Sequence, residues 1–307
     1  MHPRPVAQHA PTILLVVATI AFGAGNVLAK AILDRGVPPL TLLPIRYAFA
    51  LGSLVLMLAL VGRLRFYDRG AWMKGGLIGV VNVGGPSILM TMGLFHLSAS
   101  VAALMLALIP LVTVFFAHHL VEGEPMRAAI LPGFILALIG VGLLVDAGGP
   151  PGTNPALGYL LFGLGVITAG AGGALTRRFA LGTPAARLVL PQFVAAALAV
   201  TVTALATGSL AGVTRIDPGS WGLLITLGIV ATTVAFGALL WLSEMATAAR
   251  TALVAYLVPL VGVAGGVLIL GDPVSGRLLL GGVLILAGVL AAERAERRAH
   301  VEAVVGP

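Results

Sequence analysis

The chain has 307 residues, of which 59% are hydrophobic and 9% are charged, and its mean hydropathy is +1.09. Soluble globular domains carry about 25% charged residues, so this composition excludes a soluble domain and indicates a protein embedded in lipid. The net charge of +7 does not indicate nucleic-acid binding, because cations in such a chain mark cytoplasmic loops. The absence of cysteine excludes disulfides and thiol ligands.

Ten apolar stretches, each near the ~20 residues needed to cross a bilayer, predict an all-α integral membrane protein with ten transmembrane helices. In chain order they are residues 12–32, 40–61, 72–95, 98–117, 128–146, 156–176, 187–207, 220–242, 250–270 and 277–293. The first stretch is too long for the hydrophobic part of a cleavable signal peptide, so we expect it to be the first span. Residues 294–307 are charged and predict a cytoplasmic tail.

Lysine and arginine are distributed unequally between the two sides of the predicted membrane. With the N-terminus inside, 13 of these residues fall on the inner side, from Arg4 to Arg298, and 4 fall on the outer side. Arg46 lies within the second span. This bias predicts a multi-pass protein of the bacterial inner membrane with both termini in the cytoplasm.

The chain also contains an internal repeat. Residues 22–30 (FGAGNVLAK) recur as 169–177 (AGAGGALTR) at a shift of 147, and GEP at 123–125 recurs as GDP at 271–273 at a shift of 148. A hydrophobic unit that occurs twice is typical of transporters built from structural repeats. The acids of the two triplets precede prolines and are predicted to cap helix N-termini.

Each copy of the repeat contains five predicted spans. Because five is odd, the second copy must enter the membrane from the opposite side, so the predicted architecture is two inverted five-helix repeats. The repeats cover residues 12–146 and 156–293, and the Gly/Pro-rich segment 147–155 joins them as an outer loop.

Three cations in or next to the predicted spans are candidates for solute binding or gating. Lys30 is near the outer end of span 1, and its repeat mate Arg177, assigned to the inner gate, is near the inner end of span 6. The pair could attract a carboxylate at both mouths, or each side chain could extend to the lipid headgroups. Arg46 needs a counter-charge, which a solute carboxylate or backbone carbonyl groups at helix ends would supply.

Uncharged polar residues in the spans predict the walls of a solute cavity. They are Asn26, Asn82, Ser87, Thr232, Thr233 and Tyr256. A polar group in hydrocarbon is costly, so each should face a cavity or bond its own helix. Asn26 and Asn82 are matched in the other copy by Gly173 and Val230, and we expect such unmatched positions to determine the identity of the solute.

Three prolines, Pro86, Pro110 and Pro259, interrupt spans 3, 4 and 9 near mid-depth. A proline removes a backbone hydrogen bond and frees a carbonyl oxygen, and broken helices at this depth are where transporters bind their solutes. These prolines are therefore predicted hinge positions, although a kink that serves packing alone is the alternative.

The sequence carries no recognised enzyme motif and no metal-ligand spacing, so we expect no enzymatic activity, no cofactor and no metal. All eleven carboxylates fall at loops or span ends. A proton relay usually needs an acid inside the membrane, so facilitated diffusion or exchange is favoured, with Glu244 near an inner mouth as the one reservation.

Four segments carry a family resemblance. They are SASVAALMLALIPLVTVFFAHHLVEGEP (98–125), GFILALIGVGLLV (133–145), TAARTALVAYLVPLVGVAGGVLILGDP (247–273) and GGVLILAGVLAA (281–292). Over residues 12–293 the chain resembles the drug/metabolite transporter superfamily and, within it, the EamA family. The resemblance implies an inner-membrane carrier for small metabolites, often amino acids, with a cavity lined by spans 1–4 and 6–9 and with spans 5 and 10 at the periphery. It transfers no substrate-contact residue, because the family motif is structural.

These observations predict an exporter or exchanger that moves an amino acid or another carboxylate-bearing solute by alternating access. The predicted partners are the solute and the lipid bilayer, with no nucleic acid, and the protein is expected to be a monomer or homodimer. An exporter of lipophilic or multiple drugs and a flippase for lipid-linked sugars are the alternatives.

Overall fold

The computed structural model describes residues 5–64, 67–122, 128–145, 153–184 and 186–305, with the side chains of all but 5–8, 248–249 and 297–305. All regular secondary structure in these ranges is helical. Outside them lie the triplet at 123–125 with its predicted cap Glu124, most of the predicted connector 147–155, and the cations Arg4, Arg65 and Arg127.

Ten helices in the described ranges are long and apolar enough to cross a membrane, so the all-α, ten-helix prediction is confirmed. A backbone in lipid must satisfy its own hydrogen bonds, which a helix does within each segment. The helices are α1 (Pro5–Asp34), α2 (Pro39–Leu60), α3 (Arg69–His96), α4 (Ala99–Leu120), α5 (Ala128–Val145), α6 (Pro155–Ala180), α7 (Ala186–Ala206), α8 (Pro218–Met245), α9 (Ala248–Leu270) and α10 (Gly276–Val305).

Five helices in each half make the two halves run through the membrane in opposite senses. The membrane side on which α1 begins and α10 ends is here the terminal side, and the other is the far side. Helix α10 continues as helix through much of the predicted tail, to Val305.

Helices α3, α8, α4 and α9 begin at matched side-chain caps. Asp68 accepts a hydrogen bond from the backbone N–H of Ala71 at the start of α3, and Asp217 caps α8 in the same way. Ser98 and Thr247 cap α4 and α9. Both pairs lie 149 residues apart in the sequence. A cap satisfies backbone donors that the first turn leaves unpaired, so the two halves begin these helices by the same local means.

Close contacts at glycine repeat the same symmetry between helices. A Cβ atom built on Gly23 of α1 would lie 2.5 Å from the Cβ of Val261 of α9, and its repeat mate Gly170 of α6 packs equally closely on Val112 of α4. Lipid supplies no hydrophobic drive for helices to associate, so small residues that let backbones approach are the main source of packing energy.

Helices α5 and α10 pair through glycine on both sides. A Cβ built on Gly133 would lie 2.5 Å from the carbonyl oxygen of Gly288, and one built on Gly140 would lie 2.7 Å from that of Gly281. The sequence repeat matches Gly133 with Gly281 and Gly140 with Gly288, so each contact joins the start of one helix to the later part of its mate. The contact pairs α5 with α10.

Two π-helical turns interrupt α3 and α8 near mid-depth. They span Gly79–Gly84 in α3 and Ile229–Val234 in α8. A π-turn inserts an extra residue and rotates the side chains that follow, and such turns are frequent at functional sites. The turns begin 150 residues apart and the caps of the same two helices lie 149 apart, so the local shift between the halves is not the 148 residues that the GEP and GDP triplets suggest.

The prediction that Val230 is the counterpart of Asn82 is wrong for this reason. Asn82 packs against Gly172, and the repeat mate of that glycine, Gly25, packs against Ala231. The structural counterpart of Asn82 is thus Ala231, while Val230 is 40% exposed on the outer surface of the helix bundle.

We expect Gly140→Leu to destabilise the protein, because its side chain would meet the backbone of α10. Overpacking of this kind costs roughly 1–3 kcal/mol, which thermal unfolding in detergent would show as a lowered Tm. Gly142→Leu, in the same helix but with open space around the position, is the matched control. Equal Tm values for the two variants would contradict the proposed α5–α10 contact.

Candidate functional site

A central cavity of about 520 Å³ lies among α1, α2, α3, α4, α6, α8 and α9. Helices α5, α7 and α10 contribute no lining residue among those the structure describes. Thus α5 and α10 are peripheral to the cavity, as the family resemblance implies. Helix α7, which the resemblance places at the cavity, lies outside the helices that line it. This volume falls within the range of ordinary small-molecule sites.

Eight of the residues predicted from depth and polarity line this cavity. They are Asn26, Arg46, Asn82, Ser87 and Thr232, and the predicted hinges Pro86, Pro110 and Pro259. The structure therefore brings together side chains from six helices that are far apart in the sequence. Their roles in binding remain predictions.

The other four predicted residues lie elsewhere. Lys30 is only 4% exposed, with its Nζ 3.0 Å from Oδ1 of Asp34, one turn further along α1. Thr233 faces α2, where its hydroxyl donates to the carbonyl of Ala50 at 2.8 Å. Tyr256 and Arg177 line a smaller side chamber rather than the central cavity.

The predicted hinges differ in their local backbone. Helix α4 breaks at residues 107–108, just before Pro110, and Pro86 follows the π-turn of α3. Helix α9 runs without interruption through Pro259. The backbone is thus irregular beside two of the three prolines.

Among the described residues that line the cavity, Arg46 alone is charged. Its Nε donates a hydrogen bond of 3.0 Å to Oγ1 of Thr232, and its Cζ lies 5.7 Å from the centre of the Tyr47 ring. No carboxylate in the described part of the chain forms a salt bridge with it. The terminal nitrogens of its guanidinium are therefore available to an anion in the cavity.

Neutral polar groups surround this cation. The hydroxyls of Tyr47 and Ser87 are 2.6 Å apart and link α2 to α3. The amide nitrogen of Asn26 is buried and has no hydrogen-bond partner in the described structure. An unpaired buried donor is costly, and at the wall of a cavity it can be satisfied by a bound solute.

Most of the remaining wall is apolar. Its larger side chains are Phe22, Met90, Leu94, Leu106, Ile109, Phe236, Leu239 and Val258. Phe22 and Phe236 meet edge to face, with ring centres 5.0 Å apart. The cavity thus combines one cationic corner with a broad hydrophobic surface.

Sequence reasoning missed Tyr47 and Thr91 as lining residues. Tyr47 follows Arg46 directly, and adjacent residues on a helix usually face different directions, so no sequence signal identified it. Thr91 lies one turn after Ser87 in α3, and this i,i+4 spacing is a signal that indicates a shared face.

The cavity opens toward the terminal side, because its lining is partly exposed there, at Thr251 and Ala252 at the start of α9, whereas its far-side residues Ala29 and Leu94 are 3% and 2% exposed. On the far side, a Cβ built on Gly262 of α9 would lie 2.5 Å from the Cβ of Ala103 of α4, so the two helices are sealed together there.

Asp272 strengthens this far-side seal. Its Oδ2 accepts a hydrogen bond of 2.7 Å from the backbone N–H of Ser100, in the first turn of α4. Asp272 therefore binds the N-terminus of a helix, as predicted, but that helix is α4, and Ser275 accepts the hydrogen bond of Leu278 at the start of α10. The acid ties the end of α9 to the start of α4.

The side chamber of about 130 Å³ adjoins the cavity on the terminal side and shares Pro110 and Ala252 with it. Arg177 and Tyr256 line it together with Glu293 and Glu296 of α10. Nη1 of Arg177 is 3.9 Å from Oε1 of Glu296. The cation predicted at the inner gate therefore stands opposite carboxylates beside the open mouth.

Glu244, the one acid near an inner mouth that weighed against an uncoupled mechanism, does not line the cavity. Its two carboxylate oxygens accept hydrogen bonds of 2.8 and 3.0 Å from Arg63 at the terminal surface. The hydrogen bonds and negative charge of Glu244 raise the pKa of Arg63 above its usual value. Within the described residues, no three potential metal ligands are grouped together.

Comparisons with known proteins find a family, a relative and a solved structure to which this chain is similar. The model of the EamA-like transporter family matches twice, over residues 10–146 and 156–292. The uncharacterized transporter YyaM of Bacillus subtilis (strain 168) is 29% identical over 224 residues, which cover 70% of this chain and 71% of that protein. A solved crystal structure with 20% sequence identity superposes with a TM-score of 0.63, covering 94% of this chain and 98% of the other, and so shows the same fold.

The sidedness of the cavity can be tested with single cysteines, because the chain has none of its own. Ala252→Cys lies at the open mouth, and Ala103→Cys, at the corresponding position of the other repeat, lies in the seal, where Ala103 is 2% exposed. We expect a water-soluble maleimide to label Ala252→Cys at least ~10-fold faster, since labelling in the seal requires an opening that costs ~1.4 kcal/mol or more. Equal labelling rates would contradict the assignment of an open terminal side.

Proposed function

The chain belongs to the EamA-like transporter family and is a membrane transporter, and we propose that it moves a small carboxylate-bearing solute, such as an amino acid, by alternating access. The observation that carries the proposal is the unpaired cation Arg46 in an otherwise uncharged cavity. On this account the protein is an exporter or exchanger rather than an enzyme.

A charge inside a membrane is costly. A guanidinium away from bulk water needs a partner, and an arginine inside a transmembrane segment usually pairs with a carboxylate, a carbonyl or a solute. The described residues offer Arg46 the hydroxyl of Thr232 and the face of Tyr47, both neutral. A solute carboxylate would supply the missing negative charge and fits the planar guanidinium through two parallel hydrogen bonds.

The rest of the cavity supports a solute with an apolar portion. The orphan amide nitrogen of Asn26 offers one more hydrogen-bond donor, whereas Phe22, Met90 and Phe236 offer apolar surface. A metabolite with a carboxylate at one end and a hydrocarbon or aromatic group at the other matches this division. Selectivity would then come from the donors, and much of the affinity from the buried apolar area.

Alternating access is supported by a difference in helix packing between the two halves. In the far-side seal, Ala103 of α4 packs on Gly262 of α9. The repeat mates of these residues, Ala252 and Thr113, belong to helix halves that flank the open terminal mouth. In the opposite state we expect Ala252 to pack toward Thr113 while the far-side contact opens, because inverted repeats can exchange conformations.

The direction of access follows from the charge bias. The excess of lysine and arginine on the terminal side favours its location in the cytoplasm of a bacterial inner-membrane protein. The present conformation would then be open to the cytoplasm, which is the state in which an exporter takes up its solute.

A carrier of lipophilic solutes is the second candidate, and the broad apolar wall is the observation that favours it. The two candidates differ in their dependence on Arg46. A lipophilic solute without an anionic group would be transported equally well when the cation is removed.

We expect Arg46→Ala to reduce carboxylate transport by about 30-fold or more, since removing a buried charge partner typically costs 2 kcal/mol or more. Arg46→Lys should retain part of the activity, because an ammonium keeps the charge but loses the bidentate geometry. The measurement is uptake of a radiolabelled panel of amino and organic acids into proteoliposomes.

Arg69→Ala is the matched control, because this arginine is exposed on the terminal side and outside the cavity. Its removal changes the net charge by the same amount and should leave uptake unchanged. If Arg46→Ala transports every acid in the panel at the wild-type rate, the proposal fails. Repeating the assay with an imposed proton gradient tests the uncoupled mechanism, which acceleration would overturn.

A further inference from the structure

We propose that Thr232 acts as a positioning residue, which fixes the guanidinium of Arg46 for a carboxylate and does not itself donate to the solute. This inference rests on the proposed function of Arg46 as the anion-binding group. It changes the role of Thr232 from the sequence-based prediction of a solute contact.

The first support is the single hydrogen of the Thr232 hydroxyl. Oγ1 donates that hydrogen to the carbonyl oxygen of Leu227 at 2.9 Å and accepts from Nε of Arg46 at 3.0 Å. A threonine hydroxyl has one donor and two acceptor positions, so nothing is left to donate to a carboxylate. Thr232 is also only 1% exposed, which leaves it little surface for the solute.

The second support is the position of Thr232 inside the π-turn of α8. Three other helical threonines, Thr113, Thr203 and Thr226, donate to the carbonyl four residues earlier. Thr232 donates to a carbonyl five residues earlier, which is the spacing of a π-helix. The irregular turn therefore sets the direction of this hydroxyl and of the lone pair that it presents to Arg46.

The third support is that α2 and α8 touch at the same level. A Cβ built on Gly228, the last residue before the π-turn, would lie 2.7 Å from the backbone carbonyl oxygen of Arg46. The arginine is thus held at its backbone by close packing and at its Nε by the hydroxyl. The side chain of Arg46, which has many rotamers, is therefore restrained at its backbone and at Nε before the solute binds.

The consequence is a preorganised anion site. With Nε occupied by Thr232, the two terminal nitrogens of the guanidinium remain as a pair of donors for one carboxylate. Preorganisation raises affinity because less conformational freedom is lost on binding. It should act on carboxylate binding and not on the translocation step.

The test compares two variants that lack the hydroxyl, Thr232→Val and Thr232→Ala, with Thr232→Ser, which retains it. The probes are L-leucine, L-phenylalanine and butyrate, each measured against its primary amide by uptake into proteoliposomes. We expect both hydroxyl-free variants to raise the KM of a carboxylate probe about tenfold, the usual effect of losing one hydrogen bond to a charged group. The kcat should stay within about twofold, and Thr232→Ser should restore the wild-type KM.

Two controls separate positioning from a general loss of structure. Thr226→Val removes an exposed hydroxyl that bonds only its own helix in α8, and its KM should not change. In an Arg46→Lys background, which lacks Nε, Thr232→Val should cause no further rise in KM. A merely structural role would lower the activity in that background as well.

The possible failures are distinguishable. Wild-type protein that does not distinguish any carboxylate from its amide overturns the proposed function and this inference together. Wild-type protein that prefers the carboxylate, with hydroxyl-free variants whose KM is unchanged or whose loss persists in the Arg46→Lys background, overturns the inference about Thr232 alone.

Discussion

A guanidinium held inside the membrane without a charged partner is the constraint on which the rest of this structure depends. Arg46 lies seven residues after the start of α2, or ~10 Å from the far-side end at 1.5 Å per residue. The protein meets the cost of this charge only in part, with one hydroxyl and one aromatic ring. The unmet part is the free energy that an anionic solute can recover on binding.

The inverted repeat supplies the frame that surrounds this cation. Matched glycine contacts, Gly23 on Val261 and Gly170 on Val112, build the two halves by the same packing rule. The departures from symmetry lie at the cavity, where α2 contributes a cation and α8 contributes the hydroxyl that orients it. A symmetric frame allows two equivalent states, and asymmetric side chains give the cavity its chemistry.

Much of the fold could be predicted from the sequence, because transmembrane hydropathy and a five-helix repeat are local and periodic signals. Depth and polarity also identified Asn26, Arg46 and Asn82 as neighbours of one cavity. The sequence did not show which way each side chain faces around its helix, since Thr233 is adjacent to Thr232 yet faces α2. The counterpart of Asn82 was also misplaced, because the shift of 148 residues at the GEP and GDP triplets does not hold in α3 and α8, whose caps lie 149 residues apart.

The central claim is that Arg46 binds the carboxylate of the solute, and the most direct measurement is a thermodynamic cycle of binding affinities. The Kd of one solute and of its primary amide would be measured by calorimetry on the wild type and on Arg46→Gln in the same detergent. The account predicts that the wild type prefers the acid by about tenfold or more and that Arg46→Gln removes this preference, which corresponds to a coupling of ~1.4 kcal/mol. An acid preference that is equally large in both proteins would contradict it.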